Sequence, residues 1–230
     1  MLTEIELQAL WLSLRVGFWS TVVALPLALL AAWVLSRRRF PGRRLLDVTV
    51  HVPLVLPPVV VGYLLLILLG RQGPLGGLLH QWFEFTVVFT WQGAAVASAV
   101  MAFPLAVRAI RLSLDAVDRR LETAARTLGA SPVRVFVTIT LPLTAPGILA
   151  GAVLGFARSV GEFGATITFV SNIAGETRTL PLALYTAVQT PGAEPAAARL
   201  VIISVAIALV ALLSSELLAQ RFARHLEGRP

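Results

Sequence analysis

Five apolar stretches recur along the chain, at residues 16–35, 52–69, 87–107, 148–170 and 200–219, each close to the roughly 20 residues a helix needs to cross the hydrocarbon layer of a bilayer. Lipid offers no hydrogen-bond partners, so segments of this kind must satisfy their own backbone and therefore coil into helices. The expected fold is an all-α integral membrane protein with about five transmembrane helices, built as one domain over residues 1–230. Composition agrees: 57% of residues are hydrophobic and 13% charged, against roughly half apolar and a quarter charged in an average soluble domain. The first stretch is expected to remain as a helix and not to be removed as a signal peptide. Glu4 and Glu6 precede it, and arginines follow where small residues would mark a cleavage site.

Arginine placement sets the orientation. Arg37, Arg38, Arg39, Arg43 and Arg44 follow the first stretch; Arg108, Arg111, Arg119, Arg120, Arg126 and Arg134 follow the third; Arg221, Arg224 and Arg229 follow the fifth. Positive residues near span ends stay in the cytoplasm, which puts the N-terminus outside and the C-terminus inside. Arg15, Arg71, Arg178 and Arg199 remain on the outer side, with Trp11, Trp82 and Trp91 near the outer boundary and Trp33 near the inner one. The net charge of +7 is thereby a matter of topology and not of nucleic-acid binding, since the arginines flank spans and leave no basic soluble module.

All 19 basic residues are arginine, and cysteine is absent. Without lysine there is no G-x-x-x-x-G-K-[ST] nucleotide loop, no Schiff base and no Ser-Lys pair. Without cysteine there is no disulfide or thiolate metal site. His51, His80 and His225 lie far apart and read as lone polar groups, so no metal is expected. The chain is not expected to be an enzyme, and any ATP chemistry must come from a partner.

Between the third and fourth stretches lies a polar loop, about residues 108–142. Leu121, Ala124, Ala125 and Leu128 recur at helical spacing, while Arg119, Arg120, Glu122, Thr123, Arg126 and Thr127 cover the other side. Gly129 stands where a helix ends in a left-handed residue, and Ser131-Pro132 supplies an N-cap and first-turn proline for another helix. Two helices meeting at a corner are expected, forming a docking element on the cytoplasmic face.

Polar groups also interrupt the fourth stretch. Arg158 and Glu162 are four apart and so face the same way, and an ionisable group at such depth costs about 2.5–3.5 kcal/mol unless it pairs or meets water. Two readings stay open: a self-neutralising pair that fixes helix register, or charges lining an aqueous pathway. Gly161 and Gly164 weaken the helix around Glu162, as a bend at a gate requires. Pro26, Pro57-Pro58 and Pro104 are expected to bend their helices. Gly147, Gly151 and Gly155 are expected to allow close helix approach. Residues 181–188 are apolar but too short to cross, and suit a re-entrant or outer-face helix.

The loop resembles that of the membrane subunits of binding-protein-dependent ABC importers, whose pattern is E-A-A-x-x-x-G-x₉-I-x-L-P. Ala124, Ala125, Gly129, Ile139, Leu141 and Pro142 fall on it, with Thr123 at the acidic position and Glu122 one residue earlier. The chain is also similar to molybdate permeases in the run from Phe156 through Glu162, Phe163 and Gly164 to Asn172, where sulfate permeases are close competitors. The resemblance implies a type I importer permease in a bacterial inner membrane, working as a homodimer with ATPase subunits that hold ATP and Mg, and with an external binding protein delivering molybdate. Sulfate, thiosulfate or tungstate are the alternative cargoes. It further implies an ATPase-coupling set of Leu121, Glu122, Ala124, Ala125, Leu128, Gly129, Ala130, Phe136, Ile139, Leu141 and Pro142. The implied translocation path or gate comprises Arg158, Ser159, Gly161, Glu162, Phe163, Gly164 and Thr166. A stand-alone secondary transporter or channel would instead want coupling residues in several spans or an inverted repeat, and neither is evident.

Overall fold

The computed structural model describes residues 3–226, and its regular structure is helical throughout. α1 (Glu4–Arg37) begins with a capping box: Glu6 N–H donates to Thr3 Oγ1 at 3.3 Å, and Thr3 N–H donates to Glu6 Oε2 at 2.8 Å, closing two of the donors a helix start leaves open. Its buried face carries Ala9, Ser13, Gly17, Ser20, Ala24, Ala28 and Ala32, one small residue every three or four positions. Small side chains let helix backbones approach closely in a membrane, and α1 lies against both α5 (Trp91–Ala116) and α8 (Leu141–Val160).

α8 meets α5 in the same way. A Cβ added at Gly147 would lie 2.2 Å from Ser113 Cβ, so the contact demands glycine there, and one at Gly151 would lie a tight 3.2 Å from the Ala106 carbonyl oxygen. Gly155, expected to join them, has nothing within 4 Å of an added Cβ. Two clusters result along this packed core. Val16, Ala97, Met101, Ala165 and Phe169 fill one end, and Ala28, Ala32, Leu35, Val107, Ile110 and Leu114 fill the arginine-rich end.

Among the described residues four helices are long and apolar enough to cross a bilayer: α1, α5, Pro132–Val160 and Glu194–Ser214 of α11 (Glu194–Leu226). A fifth is the bent pair α2 (Arg43–Val55) and α3 (Pro58–Leu69). The bend expected at Pro57-Pro58 is present and is a full break: Leu56-Pro57 separates the two helices at 115°, because a proline disfavours helical geometry in the residue before it. Pro26 and Pro104, by contrast, sit inside α1 and α5 without ending them.

The expected span 148–170 is also two pieces. α8 stops at Val160, and α9 (Gly164–Val170) begins after a break at Gly161, Glu162 and Phe163. The long helix makes up its length at the other end. α7 (Pro132–Val135), a π-helical turn (Phe136–Thr140) and α8 run on as 29 residues. The second helix of the expected corner is therefore the first turn of a spanning helix, and since α5 continues to Ala116, the loop shrinks from 108–142 to 117–131. α6 (Arg119–Thr127) is what remains in it. α4 (Pro74–Phe83) was not foreseen, whereas α10 (Leu180–Gln189) is the short apolar helix expected over 181–188. Arg229 lies outside the described residues, as do the side chains of Arg221, Arg224 and His225.

Overpacking the α5–α8 contact is expected to destabilise the fold. Gly147→Val should lower stability by about 1–3 kcal/mol, read as a loss of thermal stability in detergent, while Gly155→Ala, with open space around it, should cost nothing.

Candidate coupling and translocation sites

α6 is built from its ends inward. Asp118, unremarked in the sequence reading, accepts from Arg120 N–H at 2.9 Å as the N-cap. At the other end Gly129 has φ +86°, its N–H reaches Arg126 O at 3.0 Å, and Ala130 N–H reaches Ala125 O at 3.0 Å. These two bonds form a Schellman stop. Ser131 Oγ then accepts from Arg134 N–H at 3.3 Å, with Pro132 in the first turn of the next helix.

None of the nine residues of α6 is buried. Leu121 is 49% exposed and Leu128, at its end, 88%; with Ala124 and Ala125 they form an apolar stripe that no other part of the described chain covers. The opposite face is tied down by polar bonds. Arg37 Nη2 lies 3.1 Å from Glu122 Oε1, Thr140 Oγ1 donates to the same oxygen at 2.9 Å, and Arg119 Nη2 donates to Ser36 O at 3.1 Å.

The expected coupling set therefore divides. Leu121, Ala124, Ala125 and Leu128 face outward, Gly129 and Ala130 form the stop, and Glu122 faces the body. Phe136, Ile139, Leu141 and Pro142 belong to the long helix; Phe136 stacks edge-on to Trp33 with ring centroids 6.3 Å apart. A further charged group was missed by sequence reasoning. Arg111 Nη1 lies 2.9 Å from Asp47 Oδ1 and Arg111 Nε 3.8 Å from Asp115 Oδ2, while Ser36 Oγ donates to Asp115 Oδ1 at 2.5 Å. These residues join the ends of α1, α2 and α5; the spacing of four marks Arg111 and Asp115 as neighbours on one helix, but nothing in the sequence brings Asp47 or Ser36 to them.

The second site sits at the break after α8. Arg158 Nη1 lies 2.5 Å from Glu162 Oε2, a close ionic contact whose N–H is not aligned as a hydrogen bond to that oxygen. The other carboxylate oxygen, Oε1, accepts from Ala165 N–H at 2.9 Å and so closes the first turn of α9. Thr166 Oγ1 donates to Phe163 O at 2.8 Å, and the Phe163 ring lies 5.1 Å from that of Tyr185. Ser159 is buried, with its hydroxyl 3.5 Å from Ser98 O. Gly161 ends α8, and a Cβ at Gly164 would lie 2.8 Å from Pro58 Cβ. The break in α8–α9 thus rests on the break in α2–α3. The side chain of Glu162 is 1% exposed and that of Arg158 29%. Among the described residues no group of three His, Asp or Glu side chains is placed to hold a metal.

Helices of membrane-spanning length, with an exposed amphipathic helix at the arginine-rich end, define a multi-pass membrane protein. The chain belongs to the family described as binding-protein-dependent transport system inner membrane component, which matches residues 24–224. It is 61% identical over 229 residues, the whole of both chains, to the molybdenum transport system permease protein ModB of Escherichia coli (strain K12). It is 40% identical over 200 residues to the sulfate transport system permease protein CysT of Salmonella typhimurium, covering 87% of this chain and 72% of that one. Among solved structures it shares its fold with a chain of a bacterial ABC transporter that imports alginate, at TM-score 0.75 and 18% identity, over 96% of this chain and 80% of the other.

The two members of the ion pair should differ in cost. Arg158→Gln strands a buried carboxylate and should lose about 3 kcal/mol, whereas Glu162→Gln leaves a guanidinium that is only partly buried in the chain and should lose less. Thermal unfolding of the two variants, compared side by side, checks the order.

Proposed function

We propose that this chain is the membrane-spanning subunit of an ATP-driven importer of molybdate. The observation that carries the reading is the end-to-end 61% identity to a molybdenum permease, well above the 40% to a sulfate permease. The chain works as a symmetric pair in a bacterial inner membrane, with the pathway between the two copies. The arginine-rich end faces the cytoplasm and the N-terminus the outside, where a binding protein delivers the anion. ATP and Mg belong to the partner ATPase, because this chain has no lysine with which to write a phosphate-binding loop.

The outward stripe of α6 is the docking face for that ATPase, since an exposed apolar patch on a polar helix at a membrane surface needs a partner to cover it. A rigid element seated in a moving subunit biases a two-state pore. The break at Gly161, Glu162 and Phe163 is the moving part of the pathway: backbone outside regular helix at membrane depth is tolerated where it is buried in protein or lines a water-filled route. Arg158, partly exposed beside it, lies along that route. The similarity to CysT favours a second reading, in which the cargo is sulfate, thiosulfate or tungstate, all tetrahedral anions of the same general kind.

Vesicles holding the permease and ATPase, with binding protein added outside, should take up radiolabelled molybdate only when ATP is supplied to the ATPase side. Uptake by the permease alone, without nucleotide, would contradict the importer reading; preference for sulfate over molybdate would favour the second cargo. Leu128→Asp or Ala125→Asp should weaken retention of the ATPase on purification at least about tenfold, since burying one leucine is worth about 2 kcal/mol, while membrane insertion is unchanged.

A further inference from the structure

Glu122 is on the wrong side of α6 to grip a docking partner. At about 100° per residue, Leu121, Ala124, Ala125 and Leu128 share one face, and Glu122 is turned away from it toward Arg119 and Arg126. Its side chain is 14% exposed and its Oε1 is engaged twice, by Arg37 at 3.1 Å and by the Thr140 hydroxyl at 2.9 Å. Arg37, whose side chain is 8% exposed, also donates to Leu114 O at 2.9 Å. One carboxylate therefore joins α6, which carries it, to the end of α1 and to the long helix Pro132–Val160, and through Arg37 to the end of α5.

This connection matters because α6 has no other firm hold. None of its residues is buried, and the long-range hydrogen bonds and ion pair that hold its orientation are those of Glu122 and the Arg119 bond to Ser36 O. Thr140 closes the π-helical turn Phe136–Thr140, and such turns inside α-helices are frequent at functional sites. The helix that starts there ends at the Arg158–Glu162 break.

We propose that Glu122 is a positioning residue, the internal anchor through which displacement of α6 reaches α1 and the Pro132–Val160 helix, and that it takes no part in holding the ATPase. The inference rests on α6 being the coupling helix of an importer. It assigns the acidic residue of the loop an inward role, with Thr123 at the acidic position of the importer pattern back-bonded to Arg119 O at 3.0 Å.

The test uses the assembled transporter, permease with ATPase and binding protein, in lipid nanodiscs for ATP hydrolysis and in vesicles for molybdate uptake. Glu122→Gln keeps the shape and removes the charge. It should retain the ATPase and go on hydrolysing ATP, while molybdate moved per ATP falls about fivefold or more, the lower end of a typical coupling free energy. Thr140→Val should lower the same ratio, and Thr140→Ser, which restores the hydroxyl, should recover it. Glu122→Gln that sheds the ATPase as Leu128→Asp does, or that transports normally per ATP, overturns the anchor. If Leu128→Asp keeps the ATPase, it is the docking reading that fails. A spectroscopic measurement then still decides the anchor. The chain has no cysteine, so spin labels on Leu30→Cys, exposed on α1, and Thr127→Cys report the α1–α6 distance directly. That distance should be narrowly distributed with Glu122 and broad with Glu122→Gln; an unchanged distribution overturns the proposal. Should Glu122→Gln fail to fold or insert in the membrane, Thr140→Val against Thr140→Ser makes the same decision.

Discussion

Within lipid every backbone group freed from a helix must find another partner, and the architecture follows from how this chain meets that demand. α1, α5 and α11 meet it by not breaking. The other apolar segments do break, and side chains take over there. At the end of α8, Glu162 Oε1 receives the Ala165 N–H and the Thr166 hydroxyl donates to Phe163 O, so the turn into α9 leaves these groups paired. Glu162 is then both a cap and the counter-ion of Arg158, which explains a carboxylate at a depth where charge is otherwise costly. The break also has a mechanical neighbour. Gly164 rests against Pro58 and Gly62 against the Ala165 carbonyl, where an added Cβ would come within 2.5 Å, so the two bends in the fold are packed on each other.

Close backbone packing places the polar machinery at the arginine-rich end. The small-residue ladder of α1 and the glycines of α8 draw α1, α5 and α8 together, and this brings Ser36 and Arg37 beside Leu114 and Asp115. A network then forms that no single helix contains, running from Asp47 through Arg111 and Asp115 to Ser36, with Arg37 beside it reaching Glu122. α6 hangs from that network by polar bonds on one face and offers apolar side chains on the other. Such a division suits an element that must be held by one body and gripped by another.

Much of the candidate site is readable from residue order because its determinants are local. The stop at Gly129, the cap at Ser131, the outward stripe of α6 and the Arg158–Glu162 pairing each depend on residues within a few positions of one another. The limits of the spans are less readable. An apolar run looks the same whether it forms one helix or two, so in 148–170 Gly161 and Gly164 signal a bend but not that the helix stops there, and the polar loop around it conceals that Pro132 opens a spanning helix. Hydrophobicity reports the solvent a segment prefers and not where its backbone turns.

Residue order alone thus determined the membrane class, the likeness to importer permeases, the arginine-rich face and the existence of an amphipathic helix on it, since these rest on composition, spacing and local hydrogen bonding. Tertiary structure decided which face of that helix is held and which is free, that Glu122 meets Arg37 and Thr140, that Asp47 and Asp115 share Arg111, and that the two bends abut. Apart from Arg111–Asp115, those pairings join residues at least 18 positions apart, and only helix packing brings such residues within bonding distance.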